Sequence, residues 1–455
     1  SLKKYLRKQA RSMKMKFLSR SAFLKLGLAV AFMGAGAAFA ADWVQVLPAD
    51  AGYKLIKKSG SGNESYTQFG DSIIIRGGEM FNDAAQKSVS ASSVPVRPGE
   101  KLYLITSKDP AILHATFPGA RQIFKGNGFI VLLAGETAAM NLMSKRSDFT
   151  KVEPLPANKV IMTTTQMPDK KQYKTHDRIA QFVNRIDMQA FMSDLKDMVD
   201  LKTRYSYVLQ AQTAVDRCQK IFEEMGFKAW QSQFNMGGST ANNLIAEIKG
   251  QNEEKFGQVL MVGHLDSTSR QPRTNAPGAD DNGSGAAGVI AMARLIKETG
   301  VKPAATLKFV LFMGEEQGLY GSKAYVKALT AEEKSKIRAV FNLDMIGYDA
   351  VEPLSIMIET SSFNRSMAEK LMELAKSYAN FSITTSYNPY GSDHAPFLTQ
   401  KIPAVLSIQS EFDTNPNYHQ TTDTMDIINP ALCENILRMN AAAMYFYGIA
   451  PEADR

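Results

Sequence analysis

Acidic side chains and histidines follow the ends of several short apolar segments in the second half of the chain. Residues 264–266 read His-Leu-Asp, 315–316 are a Glu-Glu pair, and Asp344 ends a third apolar segment. Asp281 precedes a glycine-rich stretch, and His419 follows the last apolar segment. Like charges packed in a partly buried place raise each other's pKa or require a cation. The pattern therefore predicts a cation site.

The types of side chain indicate which cation this site would bind. A mixed set of imidazoles and carboxylates favours zinc or a related divalent metal over calcium or magnesium. Five such side chains are more than one tetrahedral zinc needs if a position stays open for water. They suit two Zn²⁺ per chain that share a bridging carboxylate. The five candidates are His264, Asp281, Glu316, Asp344 and His419.

Two further acids have separate predicted roles. Asp266 lies two residues after His264, on the same side of an extended segment, and can accept the other imidazole N–H. Glu315 neighbours Glu316 and can act as general base toward the attacking water. Taken alone, the His264–Asp266 pair could equally be a structural pair in the core; the acids that follow it favour the metal hypothesis.

The other histidines are weighed against the same site. His419, in a Tyr-His-Gln loop, would ordinarily be a surface residue, and only its place in the series of motifs favours a ligand role. His394, in a Ser-Asp-His segment, could pass for a ligand, but the five candidates are complete without it. We predict a structural role for His394 and no role in the site for His114 or His176.

From about residue 176, helical periodicity alternates with short apolar strands. Buried strands that alternate with helices predict a three-layer α/β/α sandwich with a mostly parallel mixed sheet, in which reactive groups gather at the strand ends. The predicted strands are 243–248, 259–262, 306–312, 339–343, 354–358 and 404–408. The predicted helices are 179–199, 211–225, 285–298, 322–329, 365–378 and 430–447.

A chain of 455 residues is too long for one ordinary domain. Residues 41–165 show short alternating segments separated by Gly and Pro, which predict a small β-rich domain without a catalytic constellation. Residues 166–175 are predicted to be a linker, and 176–455 the catalytic domain.

The basic charge of the chain lies in its first 40 residues. They carry nine Lys or Arg and no acid, and the remaining 44 Lys and Arg face 45 Asp and Glu. This removes the argument for a nucleic-acid partner. A basic segment, the apolar run 26–39 and the Ala-Phe-Ala of 38–40 predict a cleaved signal peptide rather than an anchor helix. We therefore expect a secreted protein with no membrane contact after cleavage.

Two other features have a structural and a functional interpretation. Cys218 and Cys433 suit either one disulfide or two buried thiols, and neither lies in a metal-binding motif. Residues 283–288 formally match the GxGxxG dinucleotide fingerprint, but Asp280 and Asp281 before it would repel a pyrophosphate. The glycines more simply allow a helix to begin close to the metal site.

Six motifs in order carry a family resemblance. The chain resembles the bacterial leucyl aminopeptidase type of zinc exopeptidase, peptidase family M28, over roughly residues 176–450. Each motif alone is weak, whereas six in sequence are specific. They are HLDS at 264–267, GADDNGSG at 278–285, GEEQGLYGS at 314–322, NLDMIGYD at 342–349, GSDHAPF at 391–397 and YHQTTDT at 418–424.

The resemblance implies a role for each candidate. Asp281 would bridge two zinc ions, with His264 and Asp344 completing one site, and Glu316 and His419 the other. Glu315 would be the base, with Asp266 behind His264, and the Asp281–Asn282 peptide bond would be cis. Tyr418 would stabilise the oxyanion, and Met345 and Phe412 would line the pocket for the first side chain of the substrate.

The chain departs from the family at residues 387–391, where some relatives have a disulfide and this sequence has no cysteine. This puts the shape of the specificity pocket in doubt. Family members are often made with a pro-region that assists folding or blocks the site. Residues 41–165 are therefore predicted to be a pro-region, or else a permanent accessory domain.

The resulting hypothesis is a secreted zinc aminopeptidase that releases N-terminal, preferentially hydrophobic, amino acids from peptides by two-metal hydrolysis. A carboxypeptidase or deacylase would need a basic residue near the pocket, and none is identified in the late loops. A glutaminyl cyclase would use one zinc. A non-catalytic binding module would usually have lost the base or a ligand.

Overall fold

The described part of the chain covers most of both predicted domains. The predicted signal peptide and most of the predicted linker lie outside it. No helix within it is long and apolar enough to cross a membrane. The structure, a computed structural model, describes residues 42–59, 64–78, 93–126, 128–147, 149–165, 175–349, 353–410 and 412–449.

The N-terminal region, residues 42–165, is rich in strands, as the alternating segments predict. Its β-branched and aromatic residues form strands whose buried faces pack on one another. The strands are β1 Trp43–Pro48, β2 Ser65–Phe69, β3 Ser72–Gly77, β4 Ser93–Pro95, β5 Lys101–Ser107, β6 Ala120–Gly126, β7 Phe129–Ala134, β8 Thr150–Pro154 and β9 Lys159–Thr165. The helices are α1 Ala49–Ser59, α2 Pro110–Leu113 and α3 Glu136–Met143.

The rest of the described chain alternates strands and helices. Its strands are β10 Lys228–Met236, β11 Ser239–Ile248, β12 Gln258–His264, β13 Thr306–Phe312, β14 Ile337–Leu343, β15 Ser355–Glu359, β16 Ser382–Ser386 and β17 Ala404–Gln409. Its helices are α4 Asp177–Val183, α5 Met188–Val199, α6 Leu209–Glu224, α7 Glu253–Phe256, α8 Gly285–Thr299, α9 Tyr320–Ala328, α10 Ala331–Lys336, α11 Arg365–Tyr378, α12 His394–Thr399 and α13 Pro430–Met444.

The central strands of the large sheet are parallel and covered by helices on both faces. Neighbours β13, β12, β14 and β17 pair in parallel. Along β12, Val259 and Met261 pack against the layer that contains α8 and α13, whereas Leu260 and Val262 pack against the layer of α9 and α12. This alternation is the period of a strand buried on both faces. The predicted α/β/α sandwich with a mixed sheet is confirmed.

The large sheet continues from the predicted catalytic domain into the N-terminal region. Strand β9 pairs antiparallel with β16 and parallel with β2. The order is β10-β11-β13-β12-β14-β17-β15-β16-β9-β2-β3-β1-β4, and β6-β7-β5-β8 form a second sheet. The predicted boundary near residue 165 is therefore not an edge of the sheet.

Two details differ from the predicted elements. The predicted helix 179–199 is two helices, because the chain leaves the helix after α4 and Asp187 caps α5 by accepting from the N–H of Ala190. The strands β10 and β16 were not predicted; β10 is a polar edge strand and β16 is only five residues long. Cys218 and Cys433 are both buried and free.

Candidate metal centre

The candidate ligands meet at the carboxyl edge of the parallel strands. His264 is the last residue of β12, and Asp344 directly follows β14. The Glu-Glu pair at 315–316 follows β13, which lies on the other side of β12. Because the carboxyl ends of parallel strands point the same way, these side chains converge. His419 comes from the loop after β17.

Two groups of side chains could each hold one ion. In the inner group, His264 Nε2 lies 3.3 Å from Asp281 Oδ1 and 3.4 Å from Asp344 Oδ1. In the outer group, His419 Nε2 lies 2.9 Å from Glu316 Oε2 and 3.2 Å from Asp281 Oδ2. Asp281 therefore presents one oxygen to each group.

The chemistry of these donors fits two divalent metal ions. Each group combines one imidazole with two carboxylates, a donor set suited to zinc. Oε1 of Glu316 is buried and has no hydrogen-bond partner in the described part of the chain. An acceptor in that state is costly unless a cation satisfies it.

The ionisable groups of the site have strongly shifted pKa values. Burial favours the neutral form of Asp281, but hydrogen bonds from His264 and His419 outweigh it and lower its pKa to about 2. Burial disfavours the charged form of both histidines, yet Glu315 beside His264 and Glu316 beside His419 raise each pKa well above its ordinary value. Without metal, the histidines balance the carboxylate charge by binding protons, which a metal ion would displace.

Hydrogen bonds hold the loop that carries Asp281 in place. Asp423 accepts hydrogen bonds from the backbone N–H groups of Asp280 at 2.8 Å and Asp281 at 3.0 Å. The Asp281–Asn282 peptide bond is cis, as the family resemblance implies. The side chain of Asn282 donates to Leu343 O at 2.9 Å, which ties the loop to the end of β14.

Two residues explain how this loop fits against the sheet. A Cβ on Gly285 would lie 2.3 Å from Leu343 O, so α8 can begin here only with glycine. Arg204 is fully buried and donates to the carbonyls of Leu265 at 2.7 Å, Pro277 at 2.6 Å and Gly278 at 2.8 Å. It thereby holds both ends of the segment between His264 and the Asp281 loop.

The carboxylate of Asp266 lies near His264 but makes its hydrogen bonds with other groups. His264 Nδ1 lies 3.1 Å from the backbone oxygen of Asp266 and 3.6 Å from its carboxylate. The carboxylate instead accepts from the N–H groups of Glu315 and Glu316, each at 3.3 Å, and from Ser206 Oγ at 3.0 Å. The sequence could not predict these hydrogen bonds, because the N–H groups come within reach only through the turn that follows β13. Asp266 thus positions the Glu-Glu pair.

Glu315 is buried beside the inner group. Burial raises the pKa of Glu315 well above its usual value, and the charges of Asp344 and Glu316 add to the rise against the opposing effect of His264. A carboxylate with a raised pKa is a stronger base than an ordinary glutamate and is suited to exchanging a proton with water.

Tyr418 stacks on the ring of His419, with centroids 3.8 Å apart. Burial, assisted by the carboxylates of Asp281 and Glu316, raises its pKa well above the usual value, so the phenol stays a hydrogen-bond donor. His394 is fully buried with Nε2 3.2 Å from Glu359 Oε1, and belongs to neither metal group.

The predicted specificity residues are covered in this structure. Met345 and Phe412 are each 1% exposed and share an apolar cluster with Phe129 of the N-terminal region. The cavity where Phe69, Phe129 and Phe412 meet has a volume of about 10 Å³, enough for roughly one water. Within the described part of the chain, both side chains are therefore closed off from solvent.

Two residues that hold Asp344 were not predicted from the sequence. Lys108 Nζ of the N-terminal region lies 3.0 Å from Asp344 Oδ2, and the hydroxyl of Ser392 donates to the same oxygen. Burial favours the neutral form of Asp344, but Lys108, His264 and Ser392 together lower its pKa. Ser392 lies in the GSDHAPF motif, whereas no motif marks Lys108.

Two groups of histidine and carboxylates that share one aspartate, at the carboxyl edge of an α/β sheet, define a candidate binuclear metallohydrolase centre. Residues 243–444 match the profile of peptidase family M28. The chain therefore carries an M28 peptidase domain, and the family predicted from its motifs is confirmed. Its enzyme class is that of the metallo-aminopeptidases, which are hydrolases.

Known proteins are similar to this chain in sequence or in fold. A "Probable leucine aminopeptidase" of Trichophyton verrucosum is 26% identical over 366 residues, covering 77% of this chain and 93% of its own. The LapA aminopeptidase of Legionella pneumophila has a TM-score of 0.56 at 20% identity, covering 78% of this chain and 100% of that one. BSAP, a zinc aminopeptidase from Bacillus subtilis, has a TM-score of 0.50 at 16% identity, covering 58% and 96%.

Proposed function

We propose that this protein is a two-zinc aminopeptidase that removes N-terminal amino acids from peptides. One observation carries the proposal: Asp281 lies between His264 and His419 and offers one carboxylate oxygen to each. A single-metal enzyme has no need of that arrangement. The shared aspartate therefore favours two ions over the single zinc of a cyclase.

The positions of the donor atoms support a separate set of ligands for each ion. The inner group, with His264 and Asp344, would hold one zinc, and the outer group, with Glu316 and His419, the other. Bound zinc would polarise the scissile carbonyl and increase the acidity of the attacking water. The protein supplies the remaining steps through its own side chains.

Glu315 is the proposed general base. Its carboxylate, buried beside the inner group, takes a proton from the attacking water and returns it to the leaving amine. The neutral phenol of Tyr418, next to His419, would donate to the developing oxyanion. Asp266 keeps Glu315 in place through the backbone.

The outer group supports cleavage at a free N-terminus. The side chain of His419 is 36% exposed, so this side of the centre faces solvent. The outer zinc and the carboxylates around it would hold the free α-amine of a peptide. An acetylated N-terminus has no basic amine, and we therefore expect it to be a poor substrate. The apolar neighbours Met345 and Phe412 support a preference for a hydrophobic first residue.

The N-terminal region is proposed to be a pro-region that covers the pocket for the first side chain. The packing of Phe129 near Phe412 supports this, because it closes the apolar surface beside a predicted specificity residue. A permanent accessory domain is the alternative. Comparing the mass of the most active enzyme with the mass of the full chain decides between them, since removal of residues 41–165 is expected to raise turnover.

Secretion is proposed from residues 1–40 alone. The charge distribution and the Ala-Phe-Ala at 38–40 support a cleaved signal peptide. Expression in a bacterial host, followed by cell fractionation and N-terminal sequencing, tests this. Exported protein should begin at Ala41. Protein that stays inside the cell with residues 1–40 attached would contradict it.

The main test combines metal analysis with a panel of aminoacyl-nitroanilides and their N-acetylated counterparts. We expect two zinc ions per chain, fastest turnover on leucine-like substrates and little turnover of acetylated ones. Equal turnover of acetylated substrates would favour a deacylase, and release of C-terminal residues from peptides a carboxypeptidase. A folded protein with two zinc ions and no turnover, even without residues 41–165, would favour a binding module.

A further inference from the structure

The N-terminal region places a buried cation on a proposed metal ligand. Lys108 lies between β5 and α2, and its ammonium is 3.0 Å from Asp344 Oδ2 although the two residues are 236 positions apart. The side chains of Lys108 and Asp344 are 5% and 3% exposed, so water screens this contact little. The contact is therefore part of the metal centre's electrostatics.

The position of the ammonium is fixed by its surroundings. The backbone N–H of Lys108 donates to Phe149 O at 3.1 Å. The aliphatic stem of Lys108 runs over Gly391, where an added Cβ would lie 3.3 Å from it. Gly391 directly precedes Ser392, which shares Asp344 Oδ2 with the ammonium. Lys108 therefore reaches Asp344 along a tightly packed path.

The two oxygens of Asp344 face different partners. Oδ1 faces His264 and the inner group, whereas Oδ2 accepts from Lys108 and Ser392. The ammonium thus leaves the metal-facing oxygen free, but it neutralises the carboxylate that a metal ion would need. A positive charge close to a cation site in a poorly screened interior also repels a divalent ion. Both effects act against metal binding.

We propose that Lys108 opposes zinc binding at the inner group, so that the N-terminal region weakens the loading of one of the two metal positions. The proposal rests on the proposed function, because it requires two zinc positions. It concerns the inner group alone, since Asp344 belongs to that group and not to the outer one. The N-terminal region would then control metal content as well as access to the substrate pocket.

The chain offers a matched control for this lysine. Lys151, in β8, also reaches from the N-terminal region to the catalytic domain, where it donates to the side-chain oxygen of Asn388. Asn388 belongs to neither metal group. Replacing Lys151 loosens the same interface without changing the charge on a ligand, so it separates electrostatics from packing.

The test is a zinc titration of the metal-free full-length chain, in competition with a chromophoric chelator. Lys108→Gln keeps a donor for Asp344 but removes the charge, and Lys108→Met removes both. In each variant we expect one of the two zinc ions to bind roughly 10- to 100-fold more tightly than in the wild type, the size of effect that residues behind metal ligands usually have. Lys151→Met should bind both ions as the wild type does.

The other outcomes are equally clear. Unchanged zinc affinities in Lys108→Gln would overturn the proposal, as would weaker binding, which would make Lys108 a support for Asp344. An equal gain in Lys151→Met would assign the effect to loosened packing. Failure of the wild type and of both Lys108 variants to bind a second zinc ion would instead refute the proposed function. Circular dichroism shows whether Lys108→Met is folded; Lys108→Gln carries the test if it is not.

Discussion

The inner and outer metal groups share Asp281 but are built in different ways. The inner ligands His264 and Asp344 come from the ends of neighbouring parallel strands and are 1% and 3% exposed. In the outer group, His419 lies on the loop after β17, has a positive φ of 54° and is 36% exposed. One group is therefore part of the core of the fold, and the other is partly supplied by a loop.

This difference indicates that the two metal groups have different roles. Ligands at strand ends are fixed by the packing of the whole sheet, which suits an ion with a lasting position. A ligand on a partly exposed loop leaves one side open, which suits contact with substrate. Asp281 belongs to both groups, and its backbone N–H donates a hydrogen bond to Asp423. The positions of both groups therefore depend on Asp423.

The largest expected effect concerns the proposed base, which belongs to neither metal group. Glu315→Gln removes the proposed base but none of the five ligands. We expect kcat to fall roughly 10²- to 10⁴-fold, the usual contribution of general acid–base catalysis, while zinc content stays at two per chain. Glu332→Gln, on the exposed helix α10, is the control and should change neither. Normal turnover in Glu315→Gln would refute the assignment of the base.

Removing one histidine from each group tests the comparison directly. His264→Ala and His419→Ala should each keep at most one tightly bound zinc. In metal-free protein, His264→Ala leaves buried carboxylates uncompensated and should cost about 3–5 kcal/mol of unfolding free energy. The partly exposed His419 should cost about 1 kcal/mol or less. Urea unfolding measures both values, and equal losses would show that the two groups do not differ in burial as described.

A smaller effect is expected from the residue that supports both groups. Asp423→Asn removes one of the two acceptor oxygens beneath the Asp281 loop and should weaken both zinc sites by about 10-fold. Asp426→Asn, exposed in the same loop, is the control. Zinc titration with a competing chelator measures the two affinities. Weakening of one site alone would show that Asp423 does not act through Asp281.

The smallest effect concerns the cysteines, which should serve neither group. Burial raises the pKa of Cys218 to about 12 and raises that of Cys433 as well, so both thiols stay protonated at pH 8. A thiol reagent should label neither in the native enzyme and both after unfolding. Rapid labelling before unfolding, or loss of zinc in Cys218→Ser, would contradict the structure.

The sequence predicted the parts of the site that follow from local pattern. His264 and Asp344 could be placed at one edge because apolar segments of strand length precede them. The family resemblance supplied His419, which no periodicity places near the others. The course of β12, β13 and β14 in the sheet confirms the α/β expectation from alternating strands and helices.

Contacts between distant parts of the chain could not be predicted in this way. Lys108 meets Asp344 across 236 positions of the chain, and no local pattern reports that contact. Asp266 was predicted beside His264, and its carboxylate lies 3.6 Å from Nδ1 of that ring. Its hydrogen bonds with backbone N–H groups after β13 follow from no local pattern. Phe129 and Phe412 share an apolar cluster because the N-terminal region packs against the rest of the chain, and no local pattern predicts that packing.

The central claim is that Asp281 holds two zinc ions at once, and metal analysis of Asp281→Asn beside the wild type tests it most directly. We expect two zinc ions per wild-type chain, and a variant that stays folded but loses tight binding at both groups together with its turnover. A wild-type enzyme that is fully active without a transition metal, or an Asp281→Asn variant that keeps both ions and its activity, would contradict the account.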